Sequence, residues 1–568
     1  MASPNLNQRL EIGHLAARSF VRTAGAAMGA AFRSRLAPMR TVGCTIRVVP
    51  SDLRSVDPGV FEELRSGHLG LAGTVQEIAG RSPFGVAPPT LAWARELHGF
   101  TWLGGLRAAE LPEAAALARQ LVDDWRQRFR ASPGGMGTAA DPLVAARRVT
   151  AWLTSSGFLL DGADDQFYSS FTRALALEIE ALSAASRHAA FGYPKLACLL
   201  AEMLAGLSLA GRERSLPRLE ARLIAELDQQ LLPDGGHASR NPEVVADILI
   251  DLLPIRECYG ADIREAPDQM ARHIARMQQH LRSLVFESGE LARFNGVTGS
   301  RLEEVATALA IGSAPPSPPA SNVGASGYAR LSRGATTLVV DCAPPPPLLF
   351  AADAHAGCLS FELEHAGRRI VANAGFPGRT NRQAAADARA TASHSTLCLD
   401  DGSSARLLKS PTLDRLLGAP PLTGLERVSA RIDERDGALV LVASHDGYLA
   451  AHGLVHERTL TLSADGARLE GCDRLRPPHG TLRLKRDLPV AVRFHLPPGT
   501  IATSLPDGRL QLSPASGPAW IATSPAARMT IEAATRFSSS AIRQPALQLV
   551  IRAATHGDTE LPWCLERT

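Results

Sequence analysis

No two cysteines in this chain stand at CxxC spacing, which argues against a structural zinc knuckle or a dithiol redox motif. The eight cysteines (Cys44, Cys198, Cys258, Cys342, Cys358, Cys398, Cys472 and Cys564) are scattered and read as mostly buried thiols, which suits a reducing compartment. No run of eighteen apolar residues occurs, so no membrane span is expected. Neither a GxSxG elbow, a P-loop nor a Rossmann glycine fingerprint appears at its proper position, which leaves hydride and phosphoryl transfer without support. Excess charge is missing as well. The 60 basic and 57 acidic residues nearly cancel, and a net +3 gives no reason to expect nucleic acid as a partner. Arginine far outnumbers lysine and alanine is abundant, as in GC-rich genomes.

At 568 residues the chain is too long for one core and suggests two or three domains. Its 45% hydrophobic and 21% charged residues are ordinary for a globular protein. The N-terminus, MASPNLNQRLEIGHLAARSFVRTAGAAMGAAFRSRL, carries arginines through what a signal peptide would keep apolar. It reads as a basic amphipathic helix that docks on the body of the protein, with membrane-surface binding as the alternative. A cytoplasmic location is the default expectation, and a periplasmic one the alternative.

From about residue 85 to 312 the apolar period is helical. LPEAAALARQLVDDWRQRF puts Leu117, Leu121 and Trp125 four residues apart, and Asp141-Pro142 is an N-cap followed by a first-turn proline. Short turns between successive helices make neighbours antiparallel, so a helical array is expected, either a solenoid or one closed into a toroid. At GSAPPSPPASNVGASGYAR the composition shifts to proline, serine and glycine. Beyond it the period drops to two, with DG-type turns every eight to twelve residues, the pattern of a large antiparallel β-sandwich. The expected organisation is an N-terminal arm over 1–84, a helical domain over 85–312, a linker over 313–327 and a β-domain over 328–568.

Polar side chains gather at element ends. LLPDGGHASRNPE, residues 231–243, ends one helix and opens another; Asn241 fits an N-cap, but capping does not require His237 or Arg240. SRHAAFGYPKL is a second helix corner, with Arg187, His188 and Tyr193. In DAHAGCLSFELEHAGRRIVANAGF, Asp353 and His355 sit at i and i+2 and share a face among small residues. ARATASHSTLCLDD adds Arg389 and His394, and HDGYLAAHGLVHER adds His452, His456 and Arg458. Histidines near strand ends suit a metal site, although no local HxH or HExxH spacing marks one.

The helical array, the proline-rich linker, HAGCLSFELEHAGRRIVANAG and ARATASHSTLCLDD together resemble the heparinase II/III family of polysaccharide lyases, over roughly residues 85–560. The resemblance implies a multidomain fold, α then β: an N-terminal (α/α) incomplete toroid followed by a large antiparallel β-sandwich, with the site in the cleft between them. It implies β-elimination on a uronic acid of an acidic polysaccharide or oligosaccharide. An asparagine or a cation neutralises the carboxylate, and histidine or tyrosine moves the proton. Carried over, His188 keeps the family's histidine and Arg187 replaces its asparagine, while the toroid tyrosine falls at Val244. His237 and Tyr259 are then replacement acid–base candidates beside His355. Arg187, Tyr193, Arg240, Asn241, Asp353 and Arg389 are the substrate-binding candidates. No cofactor is required. In some members a structural zinc is bound at the positions of His355, Asn373 and His394, a poor donor set here because it lacks a carboxylate. Two other readings stay open. One is a non-catalytic glycan-binding or exopolysaccharide-assembly protein on the same scaffold. The other is a glycoside hydrolase, for which Asp234 with Asp353 is the carboxylate pair to check.

Overall fold

The structure is a computed structural model describing residues 43–130, 137–261, 264–299, 301–312, 322–379, 381–408, 418–537 and 543–568, together with Ile12, Gly13 and Ala17. The basic N-terminal segment and most of the proline-rich linker lie outside the described residues. The chain forms two compact units. The first runs to Gln230 and takes in Ala246–Ile274; the second comprises Leu231–Val245 and Ala275–Thr568.

Helices build the first unit, and their starts follow from local chemistry. Thr90 accepts the Trp93 N–H at 3.1 Å ahead of Leu91–Gly99, and Asp164 accepts the Phe167 N–H ahead of Asp165–Ala185. Asp141 Oδ1 accepts the Leu143 N–H at 2.9 Å, with Pro142 opening Pro142–Thr154. Tyr193–Ser208 is buried continuously from Leu196 onward, because its sequence is apolar on every face. It packs against Pro142–Thr154 and Leu216–Gln230. Phe100, Trp102, Trp125, Trp152 and Phe171 form an aromatic core with ring centroids 5.2–5.8 Å apart. Inside the expected N-terminal arm stands a helix, Val60–Arg65, and a hairpin of β1 (His68–Leu71) and β2 (Thr74–Glu77) that the sequence reading missed.

Antiparallel sheets build most of the second unit. A meander joins β3 (Tyr328–Arg333), β4 (Thr336–Asp341), β5 (Phe361–His365) and β6 (Arg368–Val371). A second sheet has the order β18 (Met529–Phe537), β19 (Arg543–Thr555), β14 (Leu488–His495) and β7 (Leu397–Leu399). The third has eight strands: β10 (Val428–Arg435), β11 (Ala438–His445), β12 (Val455–Leu462), β13 (Arg468–Arg476), β20 (Thr559–Arg567), β17 (Trp520–Thr523), β16 (Leu510–Ser513) and β15 (Ile501–Ser504). A two-residue ribbon, β8 (Arg406–Leu407) with β9 (Leu422–Thr423), completes the strands described. Phe361 stacks on Trp563 at 5.7 Å and Phe494 meets the same indole edge-on at 4.8 Å, so one aromatic from each large sheet meets in the core. An α-then-β chain is thus what the sequence period encodes.

Two buried polar networks pin this core. Asp473 accepts from Arg458 at 2.8 and 2.9 Å, from His456 at 2.7 Å and from the Trp563 indole at 2.9 Å. His456 also contacts His445 at 3.1 Å, so these two histidines meet each other, and His456 meets an aspartate already shared with an arginine. The FELEH strand supplies the second network. Glu362 accepts the backbone N–H groups of Arg293 and Asn373, and Glu364 accepts the N–H and hydroxyl of Ser288. Both glutamates are essentially inaccessible, and their backbone donors together with the Arg369 guanidinium, which pairs with both, make that burial tolerable.

Candidate functional site

The turn at 231–241 belongs with the β-rich unit. Leu231 pairs with His237, and Gly235 adopts φ +86° where a Cβ would lie 2.3 Å from the Arg276 backbone, so only glycine fits. Asp234 Oδ2 accepts the N–H of Ser326 at 2.8 Å and its hydroxyl at 2.7 Å. Burial would raise this carboxyl, but the His280 imidazole 3.7 Å away and the hydrogen bonds from Ser326 outweigh it and hold the group well below the usual carboxylate range. It therefore cannot serve as the protonated acid of a hydrolase. Its proposed partner Asp353 is paired with Arg379 at 2.7 Å.

Arg240, expected to bind substrate, is engaged within the protein. Its Nε donates to the Ser326 carbonyl, Nη1 to the Ala343 and Pro344 carbonyls, and Nη2 to Asp341, with the guanidinium over the Tyr328 ring. Asn241 divides its amide between two tasks. Its Oδ1 caps the next helix by accepting the Glu243 N–H at 2.9 Å, while Nδ2 has no hydrogen-bond partner among the described residues. The Ser239 hydroxyl links Asn241 to His237, accepting the Asn241 N–H at 3.2 Å and meeting His237 Nδ1 at 2.7 Å. The Ser239 N–H also donates to that Nδ1, so the neutral ring carries its hydrogen on Nε2. Burial pushes His237 down to about 3, and its ring stands edge-on to Phe350.

The dipeptide Asn295-Gly296 gathers the next residues. A Cβ at Gly296, where φ is +98°, would lie 2.9 Å from Asn241 Nδ2 and 2.6 Å from Asp353 Cβ. Asn295 Oδ1 accepts the His355 backbone N–H at 3.0 Å, and its Nδ2 donates to the Tyr328 hydroxyl at 2.8 Å and to Asp341 at 3.2 Å. Tyr328 donates in turn to the Arg240 carbonyl, which engages its hydroxyl fully. Asn241, Asp353 and His355 are thereby held around one turn.

Imidazole tautomers then follow from the carbonyls. His394 Nδ1 lies 2.8 Å from the Ala390 carbonyl and must donate to it, which leaves Nε2 a bare acceptor. His355 Nδ1 faces that acceptor at 3.0 Å and must carry a hydrogen. Consequently His355 Nε2 is unprotonated, and among the described residues it has no hydrogen-bond partner although the side chain is only 5% exposed. Burial, then the charges of His394 and Arg389, hold His355 well below the ordinary histidine range. Arg389, expected at substrate, instead donates to the Ala354 and Ala351 carbonyls.

A zinc at His355, Asn373 and His394 does not fit these donors. Both nitrogens of His394 are engaged, Asn373 Oδ1 accepts the Ser395 N–H at 2.9 Å, and Asn373 Nδ2 reaches the Arg293 carbonyl at 3.5 Å. Among the described residues no group of three His, Cys, Asp or Glu side chains is placed to hold a metal.

The remaining candidates sit in the first unit. Tyr259 is 2% exposed and donates to Glu220 at 2.6 Å; burial and that carboxylate push its hydroxyl far above its ordinary value, which removes it from proton transfer. Tyr193 meets Asp251 at 3.3 Å beneath the Arg147 guanidinium. Arg187 is exposed on a 3-10 turn and its charge acts on the buried Glu202; His188 is half-buried on the same turn.

Residues 315–564 match the family described as heparinase II/III-like, C-terminal. FtsZ-localized protein C of Caulobacter vibrioides (strain NA1000 / CB15N) is 32% identical over 493 residues, 84% of this chain and 82% of that protein. The chain belongs to the heparinase II/III family. Solved structures agree on the fold. Heparinase III superposes with a TM-score of 0.69 at 12% identity, covering 96% of this chain and 89% of the other. A mutant of heparan sulfate lyase HepC from Pedobacter heparinus gives 0.59 at 17% identity, covering 96% and 88%. As a heparinase II/III-family chain it carries the helical region and antiparallel β-region of that fold.

Sequence reasoning missed Asn295, Gly296, Ser239 and Phe376, whose ring lies 5.2 Å from that of His355. FNGV held one usable signal: an Asn-Gly pair marks left-handed backbone, and both residues here have positive φ.

Proposed function

We propose that this chain acts on a uronate-containing glycan by β-elimination at the cluster of Asn241, His237 and His355. The carrying observation is the bare Nε2 of His355, buried without a hydrogen-bond partner among the described residues. In this reading Nε2 takes the proton from C5, the electron pair forms the C4–C5 double bond, and the C4–O glycosidic bond breaks. The imidazolium then returns that proton to the departing oxygen, so one residue serves as base and acid. His394 accepts the Nδ1 hydrogen throughout and steadies the positive charge when it forms. Asn241 Nδ2 supplies a donor for the carboxylate as its charge delocalises. The test is the ultraviolet absorbance of unsaturated uronate with a panel of acidic polysaccharides, for wild type and His355→Ala. A signal lost in the variant supports the reading; none from wild type on any polymer sinks it.

Two observations favour a second reading, a non-catalytic role on the same scaffold. His355 Nε2 is shielded from solvent. The Caulobacter relative is named for localisation with FtsZ. On this reading the chain joins FtsZ-containing assemblies and binds glycan without cleaving it. Co-sedimentation with FtsZ filaments, in the absence of any unsaturated product, is its expected signature.

A further inference from the structure

The family resemblance implies a zinc-binding position at residues 355, 373 and 394, and its donors are arranged otherwise here. We infer that in this chain a shared hydrogen joins the two imidazoles in place of a metal, and that the amide of Asn373 is the residue that decides it. This inference does not depend on whether the chain cleaves glycan.

Zinc takes an unprotonated lone pair from each imidazole and is commonly balanced by an anionic ligand. Here His394 offers its Nε2 lone pair, and a hydrogen on the facing nitrogen of His355 completes the 3.0 Å contact with no need of an ion. Two nitrogens on one tetrahedral zinc would stand about 3.3 Å apart, from bond lengths of about 2.0–2.1 Å. The span is therefore close to that of a metal site, and charge and ligand identity decide. Asn373 uses its oxygen to accept from the Ser395 N–H and its NH2 to approach the Arg293 carbonyl. A carboxylate could not make the second contact; one of its oxygens would oppose that carbonyl and gain from a cation. With a neutral amide, two neutral imidazoles and the Arg389 guanidinium fixed on the Ala354 carbonyl next to His355, nothing in the trio offsets a divalent charge.

Full-length protein is equilibrated with zinc and desalted, its metal content is measured by mass spectrometry, and it is melted with and without chelator. Wild type is expected to hold far less than one zinc per chain, with a melting temperature indifferent to chelator. Asn373→Asp is expected to gain one zinc per chain and a chelator-sensitive melt, both abolished by adding His394→Ala. One zinc per wild-type chain, lost on His394→Ala, would overturn the inference. So would an Asn373→Asp protein with wild-type circular dichroism that remains metal-free. The wild-type measurement keeps its force if that variant does not fold.

Discussion

Asp234 holds Ser326 at two points, accepting its backbone N–H at 2.8 Å and its hydroxyl at 2.7 Å through the same Oδ2. The contact joins the turn after Leu216–Gln230 to the residues just before β3. Asp234→Ala leaves both Ser326 donors without their acceptor and is expected to destabilise the protein by about 1–3 kcal/mol. Urea denaturation measures it. Because this carboxyl is held below its ordinary value when folded, its contribution is present at neutral pH. It is lost as the pH falls below about 3.9, the unfolded value.

His394→Ala removes the acceptor for the buried Nδ1–H of His355. The expected cost is again about 1–3 kcal/mol. On the β-elimination reading, turnover also falls by about 10²-fold or more, because Nε2 is no longer held bare. A variant with wild-type turnover would remove His394 from the proposed chemistry.

Asp473 is the anion shared by Arg458, His456 and Trp563. Asp473→Ala strands a buried guanidinium, and a loss of about 3–5 kcal/mol is expected. Asp473→Asn keeps the volume but not the charge and should lose less. Thermal unfolding of the two variants side by side checks the order.

Gly471 faces Trp563, where a Cβ would lie 2.0 Å from the indole. Gly471→Ala is expected to cost about 1–3 kcal/mol through overpacking. Gly367→Ala meets nothing within 4 Å but has φ +71°, so only backbone strain of about 1 kcal/mol is expected. A melting temperature unchanged in Gly471→Ala would show that the indole can move aside.

Buried neutral histidines set the acid limb of stability. Burial lowers His237 to about 3 and His495 to about 4 in the folded protein. The unfolded chain therefore binds more protons below about pH 6.5, and stability falls from there toward pH 4. Each such histidine contributes about 1.4 kcal/mol per pH unit across that window. Chemical denaturation at successive pH values should show the decline beginning near 6.5, well above the carboxylate range.

Much of this protein was legible in its sequence because periodicity and capping are local. The 3.6-residue period up to the linker, the period of two beyond it and the Asp141-Pro142 start each depend on neighbours a few residues away. His355 and Asn241 were visible as polar residues at element ends. Only the tertiary structure decided what those residues do. Asp341 engages Arg240 from 101 positions away, Ala390 sets the tautomer of His394 and through it that of His355, and Asn295 reaches His355 across 60 positions. Whether an arginine is free, or which imidazole nitrogen bears the hydrogen, depends on partners that chain folding brings together. No local pattern records that choice.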